Sequence, residues 1–453
     1  MKFFTKNVGS NYLAKVVELG DVRKHPNADK LQLTQVDHQT VVVGLNAKKG
    51  DLCIYFPLEC AINKDFLKFT NSFSDPLLNA DGKTKGFFND KGRVKAIKLR
   101  GTPSEGYIVP VKQIEDWATK SSVDFKSLVG KEFDTIEYRF DDGDLGTKEL
   151  QVLLCEKYVP YQPTKGPANL PKKDKTRRFD RMIPGQFHFH VETAQLKKNI
   201  DSINPADTIT ITEKLHGTSA VFSNILVKRQ LSWRERLAKF LGCKVQETEQ
   251  DVIYSSRAVV KNAYLYKEKV PNHWYKEDIW GLALERIREA IIPGVSIYAE
   301  IVGYTPSGSC IQKGYDYGCA PGEFEIYVYR MTSVNNQGYV LEWTTNQIKN
   351  YCDTHRLKMV PIHYHGTATG IAELGDRSLE DWQAWLLHVL SSYHLEKPCK
   401  MCKNNVPAEG IVLTVEKDQF TAYKLKSWAF YEGETKALDS GQVDIEAEQS
   451  ING

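Results

Sequence analysis

The sequence predicts an α+β chain in two parts, an N-terminal β-barrel domain and then a larger α+β domain. Three observations carry this. Short strand-like runs bounded by turn residues fill the first 150 positions, with no long helical period among them. A proline-rich, basic stretch follows. From about residue 187 onward, period-two runs alternate with amphipathic helical runs.

In the expected first domain, 1–150, TVVVGL, DLCIYF, RVKAIKL and GYIVPV read as strands, and NAKKGD and NADGKTKG as turns. Closing them into a barrel removes exposed strand edges. Residues 151–186 read as a linker. The stretch 156–185 carries five prolines, and between Lys165 and Arg181 seven basic residues face two acids. Proline bars this stretch from helix and interior strand. It is either a solvated connector or an arm that grips a nucleic-acid backbone by displacing counterions. In the expected third segment, 187–431, TITITEKL, DVIYSSR, VSIYAEIVGY, FEIYVYRM, GIVLTVE and FTAYKLKS read as strands. WRERLAKFL, IWGLALERIREAII and LEDWQAWLLHVLSSY read as amphipathic helices. The end, 432–453, is acidic and poor in apolar residues, which predicts a frayed tail.

Composition narrows the function. At 453 residues the chain can hold two or three cores. A net charge of +3 means that any nucleic-acid surface must be a local patch. Nine cysteines, an odd number at scattered spacings, fit a reducing compartment, and a cytoplasmic location is expected. The opening MKFFTKN lacks a secretory apolar run, and no stretch of about 18 apolar residues occurs, so no membrane partner is expected.

The chemistry centres on ITEKLHGTSAVFS, residues 211–223. K-x-x-G alone decides nothing, because it begins at Lys83, Lys98, Lys214 and Lys239. Only Lys214 is followed by a train of chemically useful strand-end residues. Arg257 closes YSSR, Glu300 sits in YAEIVG, Tyr329 and Arg330 end FEIYVYR, and Glu409 opens EGIVL. Lys424 and Lys426 alternate in YKLKS and so share one strand face, which calls for an anion opposite them.

The order KLHGTS, SSR, YAEIVG, FEIYVYR, EGIVL, YKLKS resembles the signature of the covalent nucleotidyltransferase superfamily, over about 187–427. Histidine in KLHGTS, where DNA ligases and capping enzymes usually carry aspartate, resembles the ATP-dependent RNA ligases. KVVELGDVRKHPNADKLQLTQVD resembles the opening of OB-fold nucleic-acid-binding domains. An OB domain ahead of the catalytic domain is similar to the fifth, nick-sealing RNA ligase family. Capping enzymes carry a trailing OB domain, and the stretch after Lys426 is too short for one.

The resemblance implies three steps. Lys214 takes AMP from ATP, the AMP passes to a 5′-phosphate, and a 3′-hydroxyl displaces it to seal a nick in RNA or an RNA/DNA duplex. Magnesium or manganese is implied, through water on Glu409 and Glu300. Lys424 and Lys426 would neutralise the α-phosphate, Tyr329 would stack on adenine with Tyr327 in reserve, and Arg257 and Glu300 would hold the ribose. His216 would serve the later steps, and Glu213 would contact adenine although it alternates away from Lys214. The family often shows aspartate where Arg330 stands, and the sequence leaves open whether Arg330 faces the site or solvent. A monomer is expected. The competing reading is an OB-headed RNA-binding protein whose catalytic-like domain only senses nucleotide.

The nucleophile sets a requirement of its own. A free lysine has a pKa near 10.4, so about one in a thousand is neutral near pH 7.4. A downward shift of about three units, about 4 kcal/mol, needs a partly dry pocket or nearby positive charge. Elsewhere, Cys399 and Cys402, with His394 and Cys352, form a candidate zinc set, but the segment PCKMCKNNVPAEGIV reads better as a structural turn. His188 and His190 alternate on one face, which suits a polar strand better than a metal. Lys214→Ala is expected to abolish covalent label from ATP that survives a denaturing gel, and Lys98→Ala to leave it intact. The reverse pattern moves the nucleophile to Lys98.

Overall fold

Strands Ala14–Glu18 and Leu52–Pro57 are apolar at successive positions because both of their faces are covered. Val16, Ile54 and Phe56 pack with Phe66 and Phe133 on one side. Val17, Cys53 and Tyr55 pack with Val36 and Val41 on the other. The two strands are central in an antiparallel sheet ordered Gly106–Pro110, Leu52–Pro57, Ala14–Glu18, Glu132–Phe133. Arg23–Lys24, Leu31–Val36 and Gln39–Gly44 form a second sheet, and Lys2–Phe4, Thr135–Asp141 and Thr147–Leu153 a third. The computed structural model describes residues 1–118, 123–141, 147–160, 181–261, 275 and 277–440.

The HPNADKL turn is fixed by a buried histidine. The Asn27 N–H donates to His25 Nδ1 at 3.0 Å, so Nε2 keeps its proton and donates to the Leu99 carbonyl, also at 3.0 Å. Leu99 belongs to the K-x-x-G of Lys98. That sequence is a two-residue hairpin turn between Ile97–Leu99 and Thr102–Ser104, with Arg100 at φ 50° and Gly101 at φ 88°. Lys98 itself is half-exposed and 3.2 Å from Glu432.

Two expected boundaries move. The chain divides by contact into one unit of Met1–Pro160, Lys197–Asn199 and Tyr431–Ser440, and a second built on Ile200–Phe430. Strands Thr147–Leu153 and Cys155–Lys157 carry the first unit past 150. The expected linker otherwise lies mostly at 161–180, outside the described residues. The expected frayed tail begins instead as helix, Trp428–Asp439. Its later part is tied to the first unit by charge. Buried Arg93 sits 2.9 Å from Asp439 and donates to the Thr435 carbonyl at 3.1 Å, and Lys95 meets Asp439 at 2.8 Å. Residues beyond 440 lie outside the described set.

The second unit holds two sheets. The strands are β1 (Ala194–Gln195), β2 (Thr208–Lys214), β3 (Thr218–Lys228), β4 (Thr248–Ser255), β5 (Val295–Gly303), β6 (Phe324–Val334), β7 (Val340–Glu342), β8 (Lys358–Met359), β9 (Ile362–Thr367), β10 (Gly410–Val415) and β11 (Thr421–Lys426). One sheet runs β1-β11-β10-β2-β9; the other runs β4-β3-β5-β6-β7, with β8 beside β6. Helix α1 (Leu379–His394) covers the first sheet, its Trp382, Leu386 and Leu390 packing on Ile209, Ile211 and Leu413. A helix at Ile279–Ile287 covers the second, with Trp280 against Phe222 and Ile297. Each sheet thus buries one face under a helix and keeps the other for polar side chains. Among the described residues no helix is long and apolar enough to cross a membrane.

Asp439→Ala is expected to lower unfolding stability by about 1–2 kcal/mol. That is less than the roughly 3–5 kcal/mol for a fully buried pair, because Asp439 stays partly exposed. A denaturant titration with an unchanged midpoint contradicts the tie.

Candidate active site

Strand register gathers the lysines. Lys214 lies opposite Gly410, and Gly410 opposite Lys426. One step along, Thr212 lies opposite Val412, and Val412 opposite Lys424. Residues opposite one another, and residues two apart, share a face, so Lys214, Lys424 and Lys426 all project from one side of the first sheet. The intervening Ile211, Ile411, Leu413 and Leu425 enter the core under α1.

Carboxylates hold these cations. Glu409, buried just before β10, brings Oε1 to 2.8 Å from Lys214 Nζ and 3.8 Å from Lys426 Nζ. Its Oε2 is buried without a hydrogen-bond partner and lies 3.8 Å from His216 Nδ1. Glu192 Oε1 sits 3.1 Å from Lys424 Nζ and 3.5 Å from Arg257. Burial lowers the Lys424 pKa below that of an exposed lysine; Lys426 and Lys214 add to this and Glu192 opposes it. The Lys214 side chain is 22% exposed, so the amine is neither sealed off nor adrift in solvent.

The second sheet supplies the other residues. Ser219, Glu300 and Tyr327 lie opposite one another on β3, β5 and β6. Glu300 Oε1 accepts the Gly217 N–H at 3.0 Å. Gly217 explains the glycine of K-x-x-G, because a Cβ there would lie 2.4 Å from the Ile301 carbonyl oxygen. Gly410 is equally constrained, at φ +142° with a Cβ position 2.1 Å from the Leu425 carbonyl oxygen. Two of the other three K-x-x-G copies lack such a setting, since Gly242 follows the end of an exposed helix and Gly101 makes the hairpin turn; Gly86 is as closely packed, a Cβ there lying 2.3 Å from the Ser72 carbonyl oxygen, but its Lys83 lies in an exposed loop.

Tyr329 is the extra residue of a β-bulge. Arg330 pairs with Tyr298 and Val328 with Ala299, which leaves Tyr329 unmatched. Its hydroxyl meets His190 Nδ1 at 2.8 Å and Ser219 Oγ at 3.2 Å, and burial raises its pKa. Tyr327 has the Lys358 ammonium 5.9 Å from its ring. Arg330 faces neither solvent nor the lysines. It is buried between the rings of Tyr298 and Phe420 and bonds Glu342 with both Nε and Nη2. The His216 ring packs edge-on between Tyr315 and Phe430, each 5.0 Å away, and the His216 backbone N–H donates to the Tyr317 hydroxyl at 2.6 Å.

Glu213 is not brought to this cluster. It lies on the opposite face of β2, 2.7 Å from His363 Nε2. Cys399 and Cys402 form a turn, closed by Cys399 N–H to the Val406 carbonyl and braced by Asp316 on the N–H groups of Lys403 and Asn404. The Cys402 thiol donates to Cys399 and lowers the Cys399 pKa to about 7. Cys352 belongs to a different core, and among the described residues no three His, Cys, Asp or Glu side chains converge on a metal position. The orphaned Glu409 Oε2, 3.8 Å from His216 Nδ1, fits a divalent cation that keeps its own water. Sequence reasoning missed Glu192. No periodic signal marked it, because residues 187–193, which include His188 and His190, form no strand.

A family model described as RNA ligase matches residues 207–428, which span every strand of this cluster. Over 207–428 the chain matches the RNA ligase family. A model of an OB-fold domain matches residues 13–111, so the ligase domain follows an OB-fold domain. A mutant RNA ligase of Naegleria gruberi with AMP and Mn is 16% identical at a TM-score of 0.55, covering 93% of this chain and 98% of that one. Another mutant of that ligase, with ATP and Mn, is 16% identical at a TM-score of 0.54 over the same shares of 93% and 98%. The Naegleria gruberi ligase with PPi is 16% identical at a TM-score of 0.54, covering 94% of this chain and 100% of that one. At this identity the likeness establishes the fold. No curated protein sequence matches the chain.

Glu192→Gln removes the neighbour that favours the Lys424 ammonium. The Lys424 amine is therefore expected to titrate at lower pH in that variant, followed by NMR of isotopically methylated lysines. An unchanged or raised midpoint contradicts the assignment.

Proposed function

We propose that this ligase seals nicks with an RNA 3′-hydroxyl strand, through AMP carried on Lys214. The observation that carries the reading is the buried Glu409 carboxylate, shared by Lys214 and Lys426 with its second oxygen unpartnered. A sensor of nucleotide has no use for a strand-end amine set against further lysines and a buried acid.

In the first step the Lys214 amine attacks the α-phosphorus of ATP, the P–N bond forms, and pyrophosphate leaves with the broken P–O bond. Only the neutral amine can attack. Glu409 favours the ammonium and Lys424 and Lys426 favour the neutral form, so the proton leaves when Glu409 turns from Lys214 to other positive charge. Lys424 and Lys426 neutralise charge on the α-phosphate oxygens. Tyr329 lies under the adenine, and Arg257 and Glu300 hold the ribose. A divalent cation, when bound, adds positive charge beside the phosphate; Glu409 and Glu300 are the residues that would hold it through water.

In the second step a 5′-phosphate oxygen attacks the AMP phosphorus and the P–N bond breaks. His216, held by Tyr317, Tyr315 and Phe430, serves this step and the next by positioning. In the third step the 3′-hydroxyl attacks the 5′-phosphate and AMP departs. The OB-fold domain grips the duplex around the nick, with the basic stretch Lys165 to Arg181 on its backbone.

Sealing should be measured on nicked duplexes in which each strand is RNA or DNA in turn, with magnesium and with manganese. The expected outcome is efficient joining wherever the 3′-hydroxyl strand ends in RNA and a loss of at least about a hundredfold in Lys424→Ala and Lys426→Ala. Joining of single-stranded ends alone, or indifference to the 3′ sugar, overturns the nick-sealing reading.

A further inference from the structure

The helix Trp233–Phe240 is attached the wrong way round for a soluble domain. It lies between β3 and β4, follows the Ser232 N-cap with a capping box to Glu235, and buries none of its own residues. Its polar side faces the protein. Arg229 bonds Glu235 and the Gln246 carbonyl, and Lys239 Nζ is 2.6 Å from Glu247. Its apolar side faces out. Trp233, Leu237, Phe240 and Leu241 are 70%, 50%, 87% and 69% exposed. At spacings of 4, 3 and 1 these four fall within an arc of about 100° on a helix of 3.6 residues per turn. Arg234 and Arg236 flank that arc, and the Arg234 guanidinium lies 5.4 Å from the Trp233 ring.

Charge selects the occupant. Residues 228–244 carry six basic side chains and one acid, Glu235. A second copy of the chain would bring two such segments together and be repelled. The phosphates of an RNA duplex would meet Arg234 and Arg236 but give Leu237 and Leu241 nothing apolar to enter. Trp, Leu and Phe along one stripe with arginines at its margins is the pattern of a helix lying in the headgroup region of a bilayer. We propose that this helix docks the protein on an anionic phospholipid surface. The sequence excludes a long apolar span, not a peripheral contact of this kind. Strand geometry keeps the contact away from the lysine cluster, since Lys228 lies nine residues along β3 from Ser219, about 30 Å at about 3.3 Å per residue.

The test uses the full chain and sedimented vesicles of phosphatidylcholine alone or mixed with phosphatidylserine at roughly 7:3. The expected result is binding to the mixed vesicles that weakens with salt and is at least about tenfold weaker to phosphatidylcholine alone. Trp233→Ser with Phe240→Ser keeps every charge. It should cut binding to mixed vesicles at least about tenfold and leave covalent AMP labelling on a denaturing gel unchanged. Absence of binding to mixed vesicles overturns the proposal, as does unchanged binding by the double variant, which would reduce the contact to bulk charge. Weaker binding of nicked duplex by the double variant, with no vesicle binding in either form, reassigns the face to RNA. Loss of a dimer in sedimentation, again without vesicle binding, reassigns it to self-association.

Discussion

One carboxylate governs the ligase site. Three lysines on one face of a sheet, two of them adjacent along a single strand, repel one another, and burial raises the cost of each charge. Glu409 offsets that by placing one oxygen between Lys214 and Lys426, while Glu192 does the same for Lys424 and Arg257. The arrangement is stable and chemically mute as long as the acids stay where they are. In the proposed mechanism it becomes reactive when an anion takes over the lysines and Glu409 is drawn to other positive charge. The resting ion pairs and the reacting state therefore compete for the same groups.

Backbone geometry makes that competition local. The lysines sit on alternate positions of strands whose other positions are locked into the core under α1, so a register slip would turn every one of them inward. Gly217 lets the chain pass against β5 and brings its own N–H onto Glu300. Gly410 lets β10 approach β11 closely enough for Lys214 and Lys426 to straddle a position without a side chain.

Much of this was legible in the sequence, for a physical reason. Period two along YKLKS and TITITEK states which residues share a face, and the sheets obey it. What stayed hidden depended on contacts far apart in sequence or on departures from periodicity. EGETKALD has too little apolar character to declare a packed helix; Arg93 and Lys95, more than 300 residues earlier, hold its end. Arg330 was undecidable because its partners, Glu342 and Phe420, come from other strands and loops. Glu192 was overlooked because it stands outside every motif and acts through Lys424 and Arg257.

The bulge at Tyr329 shows what such irregularity implies. A ladder without it would pair β5 and β6 continuously, and alternation would then assign the cleft a different residue. Shortening β6 by a single position near Tyr329 thus offers the sheet a more regular bonding pattern at the expense of the aromatic ring. Under the adenine-binding role proposed for Tyr329, tidiness and nucleotide recognition pull in opposite directions, and the chain keeps the less tidy solution.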